Sequence, residues 1–355
     1  MAFLKVFLLC LSLFLLPGCD TTRQVQGEIM EYHADAEGRL TGLTVRTEEG
    51  ETMTFVPEED EASRIVTWLG ADTLTEIQAE FPNAVLVSVQ HKGEETTLTQ
   101  PDGTRIPAIV AEWVLESGHL ETEQAYTFSD GVSVDLWDQW PGHRYLFPDR
   151  RELLIVEKQN GPENTHVSNV DSFDTLSPQV QEKVLAFYEE QGMLYDELTE
   201  LEKVYSFYKA DPENFSSYRV GQNTVPIFSN EHIFSFLTTV TTPLKPGYGT
   251  TLELCHTFDR ETGELISNYD LFTAAPEEIL PLLLSYTTYE HWENAPSLEE
   301  MQGALKPEYI HLSNNYIGIN FPAGSLPDHE HGYGFSISLF GQEWDALQPW
   351  AQPAP

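Results

Sequence analysis

Asp328-His329-Glu330-His331 sets two imidazoles two residues apart among carboxylates, a donor set suited to a divalent metal. Histidines at i and i+2 in a loop flanked by Pro327 and Gly332 need a third ligand, and none is identifiable along the chain. No metal ligand and no cofactor is therefore assigned. Asp35-Ala36-Glu37-Gly38 and Asp102-Gly103 are acidic turns that lack the spacing of a twelve-residue calcium loop. The chain carries no nucleophile elbow, no P-loop, no dinucleotide fingerprint and no H-E-x-x-H helix. Carboxylates are so numerous that picking two as acid and base would be arbitrary. No catalytic residue is assigned, and the expectation is a protein that is not an enzyme.

The thiols tell more. There are three cysteines, Cys10, Cys19 and Cys255. Met1 to Lys5 carries one positive charge, and Val6 to Leu16 is an apolar run of eleven residues, short for a membrane span of roughly 30 Å. It has the length of a secretory h-region. Leu16-Pro17-Gly18-Cys19 then resembles the bacterial lipobox, whose cysteine takes a diacylglycerol before cleavage. The reading is a signal peptide over 1–18, lipid attachment at Cys19 and a short tether over 19–25. Two or more acyl chains on one residue suffice for stable membrane anchoring. Cys255 lies in the alternating run Thr251 to Phe258. It is expected to be a buried structural thiol, because no neighbour would stabilise its thiolate.

Charge narrows the partners. The 57 acidic residues against 18 basic ones give a formal charge of −39. Such a surface repels phosphate backbones and anionic headgroups, so nucleic acid is excluded, while cationic proteins and divalent ions are attracted. At 41% hydrophobic residues the chain is globular, and its length suits two domains.

The elements that must position these groups fall into two regions. Residues 26–116 read as short strands between turns: Gly27 to His33, Leu40 to Arg46, Thr52 to Val56, Ala84 to Val89 and Ile106 to Val114. Helical spacing interrupts them at Ile65, Trp68 and Leu69 and at Leu74, Ile77 and Phe81. A small barrel or roll of five or six strands is expected. Residues 117–348 read as α+β, with a tail over 349–355. Ser177-Pro178 is a helix start. Behind it Val180, Val184, Phe187, Leu194, Leu198, Leu201, Tyr205 and Tyr208 form one apolar stripe, expected to pack on a sheet as a long helix kinked or broken at Gly192. Phe228 to Thr239, Thr251 to Phe258, Tyr309 to Phe321 and Gly334 to Phe340 read as strands, and Pro276 to Trp292 as a helix.

Phe258-Asp259-Arg260-Glu261-Thr262-Gly263-Glu264, followed by Asp270-Leu271-Phe272, resembles the hairpin and DLF signature of the RsiV-type extracytoplasmic domain. That module occurs in RsiV-like anti-sigma factors and beside the deacetylase domain of PdaC-like enzymes. Ile233 to Leu237 and Leu312 to Phe321 fall in the order the resemblance requires, which spans roughly 165–341. The shared residues are turn, cap and core positions. The resemblance implies a non-catalytic binding module, with lysozyme as the ligand of RsiV-like members. The chain departs from the pattern at Pro246-Gly247-Tyr248-Gly249, where relatives often carry a Gly-Gly-Ala-His-like loop, so no binding residue is carried over. Thr127-Phe128-Ser129-Asp130-Gly131 is similar to the metal-binding TFDDG of polysaccharide deacetylases. Ser129 replaces its first carboxylate and His143 stands alone, so a plain turn is expected.

Together these readings predict a lipid-anchored extracytoplasmic binding protein recognising a cell-wall component, such as a peptidoglycan fragment, or a cationic protein such as lysozyme. The alternatives are an envelope hydrolase using His329 and His331, and an envelope scaffold.

Overall fold

The computed structural model describes residues 22–47, 49–57, 73–139, 142–157, 159–287, 294–339 and 342–353. The leader expected over 1–18, Cys19, the helical spacing expected at Ile65, Trp68 and Leu69, Trp292 and Phe340 lie outside the described residues. The chain divides into two compact units. One comprises Met1–Tyr126 with Val134–Trp140, the other Thr127–Ser133 with Pro141–Pro355. Among the described residues no helix is long and apolar enough to cross a membrane.

The first unit is built on β1 (Arg23–Ala34), β2 (Leu40–Thr47), β3 (Thr52–Pro57), β4 (Val85–Thr99), β5 (Arg105–Thr127) and β6 (Ser133–Gln139). The sheet order is β6-β5-β3-β2-β1-β4, and β4 also pairs with β5. Alternation along each strand puts Leu43, Val45, Phe55, Val87 and Val89 on one inner face, where they are fully or almost fully buried. Each such side chain contributes about 1.5–3 kcal/mol on leaving water. Helix α1 (Leu74–Glu80) adds Ile77 to that core and is capped by Thr73 and Glu76 in a reciprocal box. The α+β reading holds, but the barrel does not. The strands belong to an open-ended sheet that continues past β5 into β6, with a parallel β3–β5 seam three residue pairs long and a β4 that slips register between His91 and Glu95.

The second unit has two sheets. The larger runs β7-β8-β9-β10-β11-β12, from Gly142–Leu146, Glu152–Glu157, Tyr218–Ser229, Ile233–Lys245, Tyr248–Asp259 and Leu265–Ile266; only β8–β9 is parallel. The smaller joins β13 (Ile310–Leu312), β14 (Tyr316–Phe321) and β15 (Tyr333–Ser338). Val180 and Val184 of α2 (Pro178–Gln191) pack on Phe234, Phe236 and Phe258. A second cluster gathers Phe228 and Ile233 with Leu280 and Leu283 of α4 (Pro276–Ser285) and Ile317 and Ile319 of β14.

The single long helix is replaced by two. Gly192 takes φ +62, and its N–H bonds back to Tyr188, ending α2. Asp196 then restarts α3 (Glu197–Ala210) by accepting from Thr199 N–H at 2.8 Å. The apolar stripe breaks with the helix: Leu201, Val204 and Tyr205 are buried while Leu194 and Leu198 are exposed. Phe228 to Thr239 is likewise two strands. Asn230 turns the chain by accepting from the His232 and Ile233 N–H groups at 2.8 and 2.9 Å. Helix α5 (Leu298–Ala304) follows α4.

Candidate functional site

Two loops that stood apart in the sequence meet in the second unit. The β10–β11 hairpin turns at Pro246-Gly247, where proline fixes φ and Gly247 takes φ +80, as a type II turn requires. Tyr218 braces it from β9: its hydroxyl donates to Lys245 O at 3.1 Å and accepts from Gly247 N–H. The turn leaves Tyr248 56% exposed. The β14–β15 connection, 322–332, carries the DHEH segment. Asp328 takes φ +59 and Gly332 φ +84, and a Cβ on Gly332 would come 2.7 Å from Phe321 O. Only glycine fits there without moving backbone.

Lys245 joins the two loops. Its ammonium lies 2.8 Å from Glu330 and 5.3 Å from the Tyr248 ring centre. His331 faces Tyr248 at 5.3 Å between ring centres, and His329 meets Tyr333 edge-on at 5.0 Å. The Lys245 ammonium holds the Glu330 carboxyl below its ordinary value. Glu300 is also lowered, first by Ser297 in the capping box of α5 and to a smaller extent by His329. Between the two sheets of this unit, Asn320 of β14 donates to Glu253 of β11, whose carboxyl is raised by burial. The surface thus offers an exposed aromatic, two imidazoles and a paired lysine. Nothing in the i, i+2 pair signalled this surface, since Tyr248 and His331 meet only through tertiary structure.

Other groups singled out by type are occupied. Asp130 accepts from Tyr205 Oη at 3.1 Å and lies 3.4 Å from Lys209 Nζ, and Gly131 takes φ +87, so the TFSDG segment is a turn. His143 has a carboxylate for its partner: its Nε2 is 2.8 Å from Glu197 Oε1, which also accepts from Tyr145 Oη at 2.6 Å. Cys255 is 2% exposed, and burial pushes its thiol up to about 12, which rules out nucleophilic use near neutrality. Asp259 accepts from the Glu261 and Thr262 N–H groups, Gly263 takes φ +71, and Leu271 and Phe272 enter the core. The signature residues therefore act as turn and anchor.

In the first unit a cavity of about 570 Å³ is lined by Arg23, Glu49, Glu51, Met53 and His91 among others. Burial, and then the Arg23 charge, keeps the His91 imidazole from protonating readily. The cavity mixes charges of both signs.

No family model matches the chain. No curated protein matches it either. Among solved structures it is similar to a DUF3298 family member from Bacteroides fragilis, at 12% identity and TM-score 0.33, covering 65% of this chain and 91% of that one. A DUF3298 family protein from Pseudomonas aeruginosa is similar at 12% identity and TM-score 0.30, covering 67% and 94%.

Proposed function

We propose that this chain is a lipid-anchored, non-enzymatic binding protein of the cell envelope, attached through Cys19. Its second unit would recognise a peptidoglycan fragment or a cationic protein such as lysozyme through the surface of Lys245, Tyr248 and His329–His331. The observation that carries this reading is the meeting of two loops, on different sheets of one unit, around an exposed tyrosine held by lysine and histidine. Loops on a rigid scaffold are where binding residues gather, and a rigid aromatic is a favourable anchor. The lipobox, the RsiV-like hairpin signature and the charge of −39 support it from the sequence.

The test is calorimetric titration of purified protein with lysozyme and with muropeptides. Binding is expected to at least one, weakened about tenfold, or 1.4 kcal/mol, by Tyr248→Ala or His331→Ala. Absence of binding to both at about 10 mM salt, where the Debye length is roughly 30 Å, would refute the proposal.

A further inference from the structure

Strand β5 presents His119 and Glu121 two residues apart, hence on one face of the strand. Asp138 comes from β6, its neighbour in the sheet. One donor atom from each of the three residues lies within 4.8 Å of the other two. A metal held at about 2.0–2.2 Å from each donor spaces neighbouring donors roughly 3–3.5 Å apart. All three residues belong to the first unit.

The imidazole has a carboxylate partner on one of its two ring nitrogens. His119 Nδ1 lies 3.0 Å from Glu116 Oε1, and its ring meets Phe81 edge-on at 5.6 Å between centres. With Nδ1–H donated to the carboxylate, Nε2 carries the free lone pair. This is the outer-shell arrangement by which metal-bound histidines are held and made more basic. The backbone makes room as well. Gly118 lies between Ser117 and His119, and a Cβ there would come 2.6 Å from the carbonyl oxygen of Asp138. Glycine thus lets the Asp138 strand approach β5 beside the histidine. Among the described residues, neither Glu121 nor Asp138 has a Lys or Arg partner, so within that set no cation of the protein neutralises the two carboxylates. One imidazole with two carboxylates suits a borderline transition metal better than calcium or magnesium, which prefer all-oxygen shells.

We propose that His119, Glu121 and Asp138 bind a divalent transition metal ion such as Zn²⁺, with Glu116 as the positioning residue behind His119. The site is separate from the loop surface of the second unit, and either can stand without the other.

The test uses the purified full chain, stripped with chelator and titrated with Zn²⁺ by calorimetry, with bound metal counted by mass spectrometry. One equivalent is expected to bind at about micromolar concentration. His119→Ala and Glu121→Gln should each weaken it by at least about tenfold, and Glu116→Gln by about 10–100-fold. Glu121 is exposed, so its variant keeps the fold, which circular dichroism checks. Binding should weaken on acidification, since the ligand imidazole must be unprotonated. Three results would each overturn the proposal. These are absence of stoichiometric Zn²⁺ binding, displacement of Zn²⁺ by equimolar Ca²⁺, and binding that survives His119→Ala but is lost in a His329→Ala/His331→Ala double variant.

Discussion

Burial decides what single side chains can do here. With its thiol raised to about 12 by desolvation, Cys255 should ignore a thiol reagent in native protein at pH 8. It should react stoichiometrically once urea unfolds the chain, as an absorbance assay would show. Two histidines carry a pH signature. His256 is enclosed by the rings of Phe187 and Tyr188, and His311 pairs across the sheet with Gly318, whose missing side chain leaves room for the imidazole. Burial pushes both down to about 4 from an ordinary 6.5. Between those values the unfolded chain binds protons that the folded one refuses, so stability falls as pH drops from 6.5 toward 4. Each group accounts for at most about 3 kcal/mol. Urea midpoints measured at pH 7 and pH 4.5 should differ in that direction, and His311→Asn should shrink the difference. Residue chemistry was only partly legible in the sequence. A lone thiol in an alternating run reads as buried, whereas the partners of His143 and His119 lie on other elements or emerge only from strand geometry.

Elements were legible where their signals are local. Ser177-Pro178 starts α2 with the Ser177 hydroxyl accepting from Val180 N–H at 3.3 Å. The Glu261-Thr262-Gly263 turn lies where the chain announced it. What escaped was set by tertiary context. β7, β8 and β9 have no turn dipeptides as plain as those of the first region, and Leu194 and Leu198 follow helical spacing yet face solvent. The Gly263 turn also docks on α2. Thr262 O accepts from Lys183 Nζ at 2.7 Å, and a Cβ on Gly263 would lie 3.2 Å from Val180 Cα. Gly263→Ala should therefore destabilise the protein by about 1–2 kcal/mol from the left-handed φ alone. Denaturant unfolding checks it, and a neutral result would mean the turn yields without cost.

At the scale of the whole molecule, charge dominates. A formal charge of −39 repels itself at low ionic strength. Raising salt from about 10 to 500 mM shortens the Debye length from roughly 30 Å to a few ångströms. The melting temperature should rise, by about 2–4 °C for each kcal/mol of repulsion removed, and scanning calorimetry would detect it. Salt should have the opposite effect on any cationic ligand, weakening its capture. The chain path matters too. Residues 127–133 count with the second unit while 134–140, with Trp137 buried to 1%, return to the first. No single scissors cut separates these halves: severing the backbone after 126 strips the N-terminal part of Trp137 and of the carboxylate of Asp138. During synthesis, that half must wait for some fourteen further residues before its hydrophobic interior is whole. Neither half can be inherited or transplanted as an uninterrupted cassette.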